Sequence, residues 1–420
     1  MIIKNFQKLA STPARKIALK IAEAGLEAIK TEKVLEKNVL LKEEVFGVQN
    51  KKFSLKNFKN IYLVAIGKAA LESAKFLEKL LGGKIKEGIV VDIKKAQFKN
   101  LKSFKGTHPL PSIINLKAGK EILKLLKKAK KDDLIITVIS GGGSALMCLP
   151  KKIKLKKLER LNRKLLLSGA PIQEINIVRK HLSLLKGGNF AKEAYPATVI
   201  SLIFSDVPGD DLSFIASGPT VRDESTKADA RRIAHQYKLG QDLNFFETPK
   251  EKKYFKNVHN FLLLSGKNLL LAMKEKATSL GFEVKIYSYA LRGEARTVGR
   301  KILHRLEEKG VLLAVGETTV TVRGRGKGGR NQELVLGALP YIDKDVVLLS
   351  LASDGLDNTE AAGALGDGTS LSRARKMGLE WRVYLDNNDS FHFFEKLGDL
   401  IITGRTGVNV ADLLIALKYK

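Results

Sequence analysis

Four glycine-bearing turns in this 420-residue sequence follow short apolar runs, and each carries side chains able to do chemistry. In Gly67-Lys68-Ala69-Ala70 a lysine stands on the first turn of an expected helix, where its ammonium and free backbone N–H groups would make a compact anion site. In Ser140-Gly141-Gly142-Gly143-Ser144, successive glycines let the backbone approach a ligand closely and present N–H groups as a concave nest. Neither GxxxxGKS nor GxxxxGKT occurs in the chain, so the expected phosphate cradle is of another kind. Gly324-Arg325-Gly326-Lys327-Gly328-Gly329-Arg330 formally matches GxGxxG, the dinucleotide fingerprint. Yet Arg325 and Lys327 sit inside that match, and Arg323 and Arg330 flank it. Asp354 falls about 25 residues beyond Gly329, against about 20 for the ribose carboxylate of such sites. Cations among glycines suit a triphosphate instead, whose transferred group gains charge stabilisation in the transition state.

Carboxylates stand at two further strand tips. Ser353-Asp354-Gly355-Leu356-Asp357 offers a pair for Mg²⁺, a hard cation that prefers oxygen ligands, although an Asx turn accounts for one of them. In Ser205-Asp206-Val207, Asp206 is placed as a general base or metal ligand, while Asp210 and Asp211 suit the cap of a following helix. On one expected helix, Asn176, Arg179 or Lys180, Ser183 and Lys186 fall three to four residues apart before Gly187 stops it. That polar stripe could bind a small carboxylate. His181, taken alone, reads as a structural hydrogen-bonder.

The elements that must position these groups alternate along the chain. Strands are predicted at 61–67, 88–93, 134–140, 198–207, 261–265, 283–289, 311–315 and 346–352, most of them continuous apolar runs as in strands covered on both faces. Amphipathic stretches lie between them, for example Ile17, Ala18, Ile21, Ala22, Gly25, Leu26 and Ile29 at helical spacing. The pattern predicts an α/β protein with one or two largely parallel sheets. A polar segment from Asp223 to Asn257 separates two strand-rich halves, which gives domains 1–255 and 256–420.

Lys and Arg number 74 against 44 Asp and Glu, a net charge of +30 that favours anionic partners. With 7% aromatic residues and no interleaved basic-aromatic motif, a specific nucleic-acid surface is not expected. No apolar run approaches the roughly 18 residues of a membrane span, and the N-terminus carries charges where a signal sequence would be apolar. The single cysteine, Cys148, lies in an apolar run and excludes an intramolecular disulfide framework. A cytoplasmic enzyme of phosphoryl transfer to a small acid is the simplest expectation. The rival is an NAD(P)-dependent reductase of hydroxypyruvate or a related hydroxy acid, resting on the formal GxGxxG.

The motifs at these positions, in their order, resemble the class II glycerate kinases, the glycerate 2-kinase family with a MOFRL-type C-terminal part. They are IGKAA (66–70), THPLP (107–111), SGGGSAL (140–146), NIVRKHLSLLKGG (176–188), SDVPGDDLSFIASGPT (205–220), GETTVTVRGRGKGGRNQEL (316–334), SDGLDNTEAAGA (353–364) and TGRTGVNVADL (403–413). The resemblance implies a Rossmann-like N-terminal domain, a second α/β domain and an active site in the cleft between them. It implies transfer of the γ-phosphoryl of ATP, with Mg²⁺, to the 2-hydroxyl of D-glycerate. Lys68 and Arg330 are then the essential cations and Asp206 the carboxylate beside the reacting groups. Gly141, Gly142, Gly143, Ser144, Glu317, Arg325, Lys327 and Asn331 would bind ATP, and Arg179, Lys180, His181 and Lys186 the acid. Asp354 and Asp206 would hold the metal. The partners expected are D-glycerate and ATP alone, with the chain a monomer or homodimer. Ser112, Arg405 and Val408 depart from the family pattern, and the 353–364 loop is one residue short, which moves the metal assignment from Asp357 to Asp354.

Overall fold

The computed structural model describes residues 1–207, 209–240, 243–306 and 308–420; Pro208 of the 205–220 motif lies outside the described residues. The chain forms two compact units, one of Val34–Leu263 and one built from two segments, Met1–Lys33 and Leu264–Lys420. The first segment belongs to the same unit as the C-terminal half.

In the 34–263 unit a small antiparallel sheet comes first, β1 (Val39–Lys42), β2 (Val45–Val48) and β3 (Lys51–Ser54). The main sheet holds β4 (Asn60–Ile66), β5 (Ile85–Asp92), β6 (Leu101–Lys105), β7 (Asp133–Ile139), β8 (Thr198–Phe204) and β9 (Val258–Leu264), in the order β6-β5-β4-β7-β8-β9. The pairings of β6 with β5, β5 with β4, β4 with β7 and β7 with β8 are all parallel. The chain runs outward from β4 to β6, then returns to place β7 on the other side of β4. That reversal is a topological switch point, where open α/β sheets bind ligands beyond the strands' carboxyl ends. Register aligns Ile66 with Ile139 and Ile139 with Ile203, so the turns after β4, β7 and β8 leave the sheet side by side. The strands are buried because Val64, Ile66 and Ile135 pack under Ile122, Leu126 and Phe190.

The two-segment unit carries β10 (Val284–Leu291), β11 (Gly310–Gly316), β12 (Val346–Ala352), β13 (Gly363–Asp367), β14 (Leu400–Ile401) and β15 (Asp412–Lys418), ordered β10-β11-β15-β12-β13-β14. Only β10 and β11 are parallel; the other pairings are antiparallel. The second sheet is therefore mixed, not largely parallel as expected. The cause is β15, which returns from the chain's end and inserts between β11 and β12. Its short apolar run, Leu413 to Leu417, does not by periodicity distinguish a strand from a buried helical turn.

The first segment is fastened by charge as well as by packing. Thr12 caps the helix Pro13–Ala28 by accepting from the Arg15 N–H, and Ala18, Leu19, Ile21, Ala22 and Leu26 form its buried stripe. Arg15, only 3% exposed, donates from Nε to Asp367 and through Nη1 and Nη2 to both oxygens of Asp399, at 2.7 and 3.1 Å. A planar guanidinium bridges two carboxylates in a way a single ammonium does not. Arg15→Lys is expected to destabilise the protein by about 2 kcal/mol, measured by denaturant unfolding; unchanged stability would show the bridge to be incidental.

Candidate active site

At the switch point, the turn after β4 is locked to the turn after β7. Gly67 adopts φ +117°, and a Cβ there would lie 2.1 Å from Ser140 Oγ, so only glycine fits. Lys68 N–H donates to Gly141 O at 2.9 Å and Ala69 N–H to Ser140 Oγ at 3.1 Å, while Leu71 N–H donates to Asp92 Oδ2 at 3.0 Å. The N–H groups expected to bind an anion at this helix start are thus already engaged. What the turn presents is the half-buried Lys68 side chain.

The amides of the second turn have the opposite fate. Gly142 is left-handed at φ +80°, and Ser140 and Gly143 N–H groups close the turn on Ile66 O and Ser140 O. Among the described residues the N–H groups of Gly141, Gly142 and Ser144 meet no protein acceptor. Consecutive open amides in such a turn form a nest suited to phosphate. A Cβ on Gly142 would lie 3.4 Å from Lys68 Cγ and 3.2 Å from His108 Cδ2, and one on Gly141 would lie 2.4 Å from Asp206 Oδ2. Lys68, Asp206 and His108 therefore surround the open loop. Ser144 Oγ pairs with Ser217 Oγ at 2.7 Å, which donates to Asn176 Oδ1 at 2.8 Å. Ala216 and Ser217 hold positive φ of 50° and 63° where they meet the loop, backbone that non-glycine residues seldom adopt.

His108, in THPLP, has no metal-ligand spacing in the sequence, and the fold brings it to this loop. Desolvation of its ring, then the charges of Lys68 and Arg179, depress its pKa to about 4, so it stands neutral beside these cations.

The stripe read along 176–186 divides in two. The helix Ile172–Lys180 ends at Lys180, not at Gly187. Lys180 Nζ donates to Asp223 Oδ1 at 3.1 Å, and His181 places Nδ1 2.8 Å from Phe246 O and Nε2 3.2 Å from Ser225 Oγ. Both are buried in this cluster, where Lys180 is paired with Asp223. Arg179 and Lys186 instead line a pocket together with Ser144 of the open loop.

In the two-segment unit, Arg330 begins the helix Arg330–Ala338 and donates to both oxygens of Asp412, Nη2 to Oδ1 at 3.0 Å, and to Glu317 at 3.2 Å. Asp412, 7% exposed, is pushed up to about 7 by burial, which outweighs the guanidinium beside it. Asp412 lies in the TGRTGVNVADL motif, but a single aspartate before an apolar run has no spacing that marks it for a role. Asp357 caps the same helix, accepting from Asn331 N–H at 3.1 Å and Gln332 N–H at 2.9 Å. Buried and fully engaged in this way, it is a structural carboxylate. Asn331, expected to bind ATP, is likewise buried between Asp357 and Ser350 Oγ.

The first half of the Gly324–Gly329 loop is closed, while the N–H groups of Gly328, Gly329 and Arg330 meet no protein acceptor among the described residues. Arg323 and Gly324 N–H groups donate to Asn388 Oδ1, Arg325 N–H to Asn387 Oδ1 at 3.0 Å and Lys327 N–H to Asp389 Oδ1 at 2.9 Å. Lys327 Nζ pairs with Glu360 at 2.7 Å and lies 3.7 Å from the Phe391 ring centroid, leaving the Arg325 side chain exposed. Asp354 is half-buried with Oδ1 in an Asx turn to Leu356 N–H, 3.1 Å. Among the described residues no group of three His, Cys, Asp or Glu side chains could cage a metal ion.

A family model described as a domain of unknown function (DUF4147) matches residues 17–245, and the MOFRL family model matches 310–412. The chain is 37% identical to the glycerate 2-kinase of Pyrococcus horikoshii, over 96% of this chain and 97% of that one. It is 40% identical to an Agrobacterium vitis protein provisionally named a hydroxypyruvate reductase, over 73% and 75% of the two chains. The crystal structure of a Thermotoga maritima glycerate kinase matches with a TM-score of 0.85 at 34% identity, covering 96% of this chain and 99% of that one. With both family models matched in order, and relatives alike over nearly the whole length, the chain belongs to the glycerate 2-kinase family with a MOFRL-type C-terminal part.

Proposed function

We propose that this protein transfers the γ-phosphoryl group of ATP to the 2-hydroxyl of D-glycerate, giving 2-phospho-D-glycerate and ADP. The observation that carries this reading is the loop of open amides at Gly141, Gly142 and Ser144 with Lys68 and Asp206 against it. Phosphoryl transfer needs little covalent chemistry from a protein, only positioning and charge stabilisation. The open amides and the Lys68 ammonium would stabilise charge on the transferred group. The bond between the γ-phosphorus and the ADP oxygen breaks as that to the glycerate oxygen forms, and Asp206 takes up the hydroxyl proton. Arg330 is assigned to the same reaction as the second essential cation.

Magnesium is normally held by one or two carboxylates together with phosphate oxygens and water. The residues fit an ion that arrives with the triphosphate, with Asp206 or Asp354 supplying a carboxylate; such an ion neutralises charge on the phosphate oxygens. The reductase alternative loses support from the first part of the Gly324–Gly329 loop, where the N–H groups of residues 324–327 are engaged by Asn387, Asn388 and Asp389 instead of being open to a pyrophosphate. This reading places the enzyme in the cytoplasm as a monomer or homodimer acting on small molecules.

The test mixes the protein with D-glycerate and either ATP–Mg²⁺ or NAD(P)⁺, with product analysis by phosphorus NMR. ADP and 2-phosphoglycerate are expected. Nicotinamide reduction without ADP release, or 3-phosphoglycerate as product, overturns it. Gly141→Ala should displace Asp206, its Cβ falling 2.4 Å from that carboxylate, and lower turnover about 10- to 100-fold. Steady-state kinetics beside thermal unfolding measure this; turnover within twofold of the parent would make the Asp206 position immaterial.

A further inference from the structure

Arg15 and Arg330 are both held by aspartates, but they differ in what is buried. Arg15 and its two partners are all shut away from solvent, as suits a structural bridge. Around Arg330 only the anchor is buried: the side chain of Asp412 is 9% exposed and that of Arg330 is 33% exposed. Asp412 opens β15 and pairs with Gly316 of β11 on one side and Ala352 of β12 on the other, so its backbone is fixed from both flanks. The same register sets it beside Glu317, the residue after Gly316, and the two carboxylates meet the guanidinium from neighbouring strand tips. Asp412 takes the edge of Nε and Nη2, with Nη2 to Oδ1 at 3.0 Å. Glu317 takes the edge of Nη1 and Nη2, at 3.2 and 3.0 Å. Carboxylates on two edges of a planar group fix its tilt as well as its place.

Stability is a poor reason for burying this carboxylate. Desolvation offsets much of the attraction within such a pair, and burial raises the Asp412 pKa to about 7 even with the guanidinium beside it. Arg330 itself begins its helix directly after a glycine-rich loop, and an arginine stem left free samples many rotamers. A part-exposed cation on that stem has no set direction without an anchor. We propose that Asp412 is the positioning residue for Arg330: from the fixed tip of β15 it aims the guanidinium at the transferred phosphoryl, touching neither substrate itself. Glu317, with 40% of its side chain exposed, is the weaker arm of the hold. The inference rests on the kinase reading for what Arg330 acts upon, but not for the hold of Asp412 upon it.

The test is Asp412→Asn, made in the parent and in Arg330→Ala, with full kinetics and thermal unfolding of each. A guanidinium out of place is expected to lower kcat about 10- to 100-fold, with KM for ATP and for D-glycerate each changed less than threefold, as for a contact made in the transition state. The unfolding temperature should fall by no more than about 3 °C. In Arg330→Ala the same change should cost no further turnover, because its effect passes through the arginine. A kcat within twofold of the parent, or an equal further loss in the Arg330→Ala background, overturns the proposal. Should Asp412→Asn fail to fold, Arg330→Lys keeps the charge and loses the two-edged hold; it is expected to lower kcat at least about 10-fold, and near-normal turnover there also overturns the proposal. A readout without turnover is NMR of protein carrying isotope-labelled arginine. The Nε–H signal of Arg330, identified by its loss in Arg330→Ala, should exchange slowly in the parent and rapidly in Asp412→Asn, and a signal unchanged between them is the contrary result. A parent that shows this signal change but does not phosphorylate D-glycerate would sink the kinase reading and leave the hold of Asp412 on Arg330 standing.

Discussion

Lys68→Ala is expected to lower turnover in ATP-dependent glycerate phosphorylation by about 10²- to 10³-fold, the loss typical of one preorganised charge on a reacting oxygen. Stability should change by no more than about 0.5 kcal/mol, because the fold uses the backbone of Lys68 and not its ammonium. The backbone N–H donates to Gly141 O, and no carboxylate pairs with the side chain among the described residues. Turnover and chemical unfolding measured on the same preparation separate the two effects. Near-normal turnover would remove the lysine, and with it the open loop, from the proposed site.

Arg330→Ala is expected to cost more turnover, about 10³-fold or beyond, the lower end of what arginines supply to phosphoryl transfer. Here stability is lost along with activity. Removing the guanidinium leaves Asp412 buried without its two hydrogen bonds, a cost of about 1–3 kcal/mol. The cost depends on pH. The Asp412 carboxyl already titrates near 7 in the folded protein, above the ordinary carboxylate range, because burial disfavours its charge. Without Arg330 it titrates higher still. A group that binds its proton more tightly when folded stabilises below the folded pKa, and that stability is lost as pH rises from the unfolded value through the folded one. Arg330→Ala should therefore unfold more readily at pH 8 than at pH 6 relative to the parent. Adding Asp412→Asn should restore stability without turnover. A variant equally stable at both pH values, or rescued in turnover by the second change, would contradict this account.

Legibility differed from one element to the next for physical reasons. β4, β7, β8 and β12 were readable because each is a continuous apolar run closed by glycine or a short polar residue, and burial on both faces imposes that composition. The position of Lys68 and of the 140–144 loop at strand ends followed from the same runs. The C-terminal β15 was not readable, and with it the antiparallel character of the second sheet, because a short apolar run does not reveal its neighbours. Nor was the docking of the first segment, which depends on Arg15 meeting Asp367 and Asp399 more than three hundred residues away in the sequence.

By itself the sequence determined which side chains are available: glycines where backbone must turn or be approached, cations beside them, and carboxylates at strand tips. It also determined the excess of positive charge, most of which lies on ordinary surface. Tertiary structure decided which of those groups are open. Of two glycine loops that read alike, one has the N–H groups of residues 323–327 taken by Asn387, Asn388 and Asp389, while Gly141, Gly142 and Ser144 of the other keep theirs. Lys180 and Lys186, drawn on one stripe, part company: the first is neutralised by Asp223 and the second faces a pocket unpaired. Local pattern reports how a residue is buried. Whether a donor or a charge remains for a ligand depends on partners far along the chain, and only the folded molecule brings those partners in.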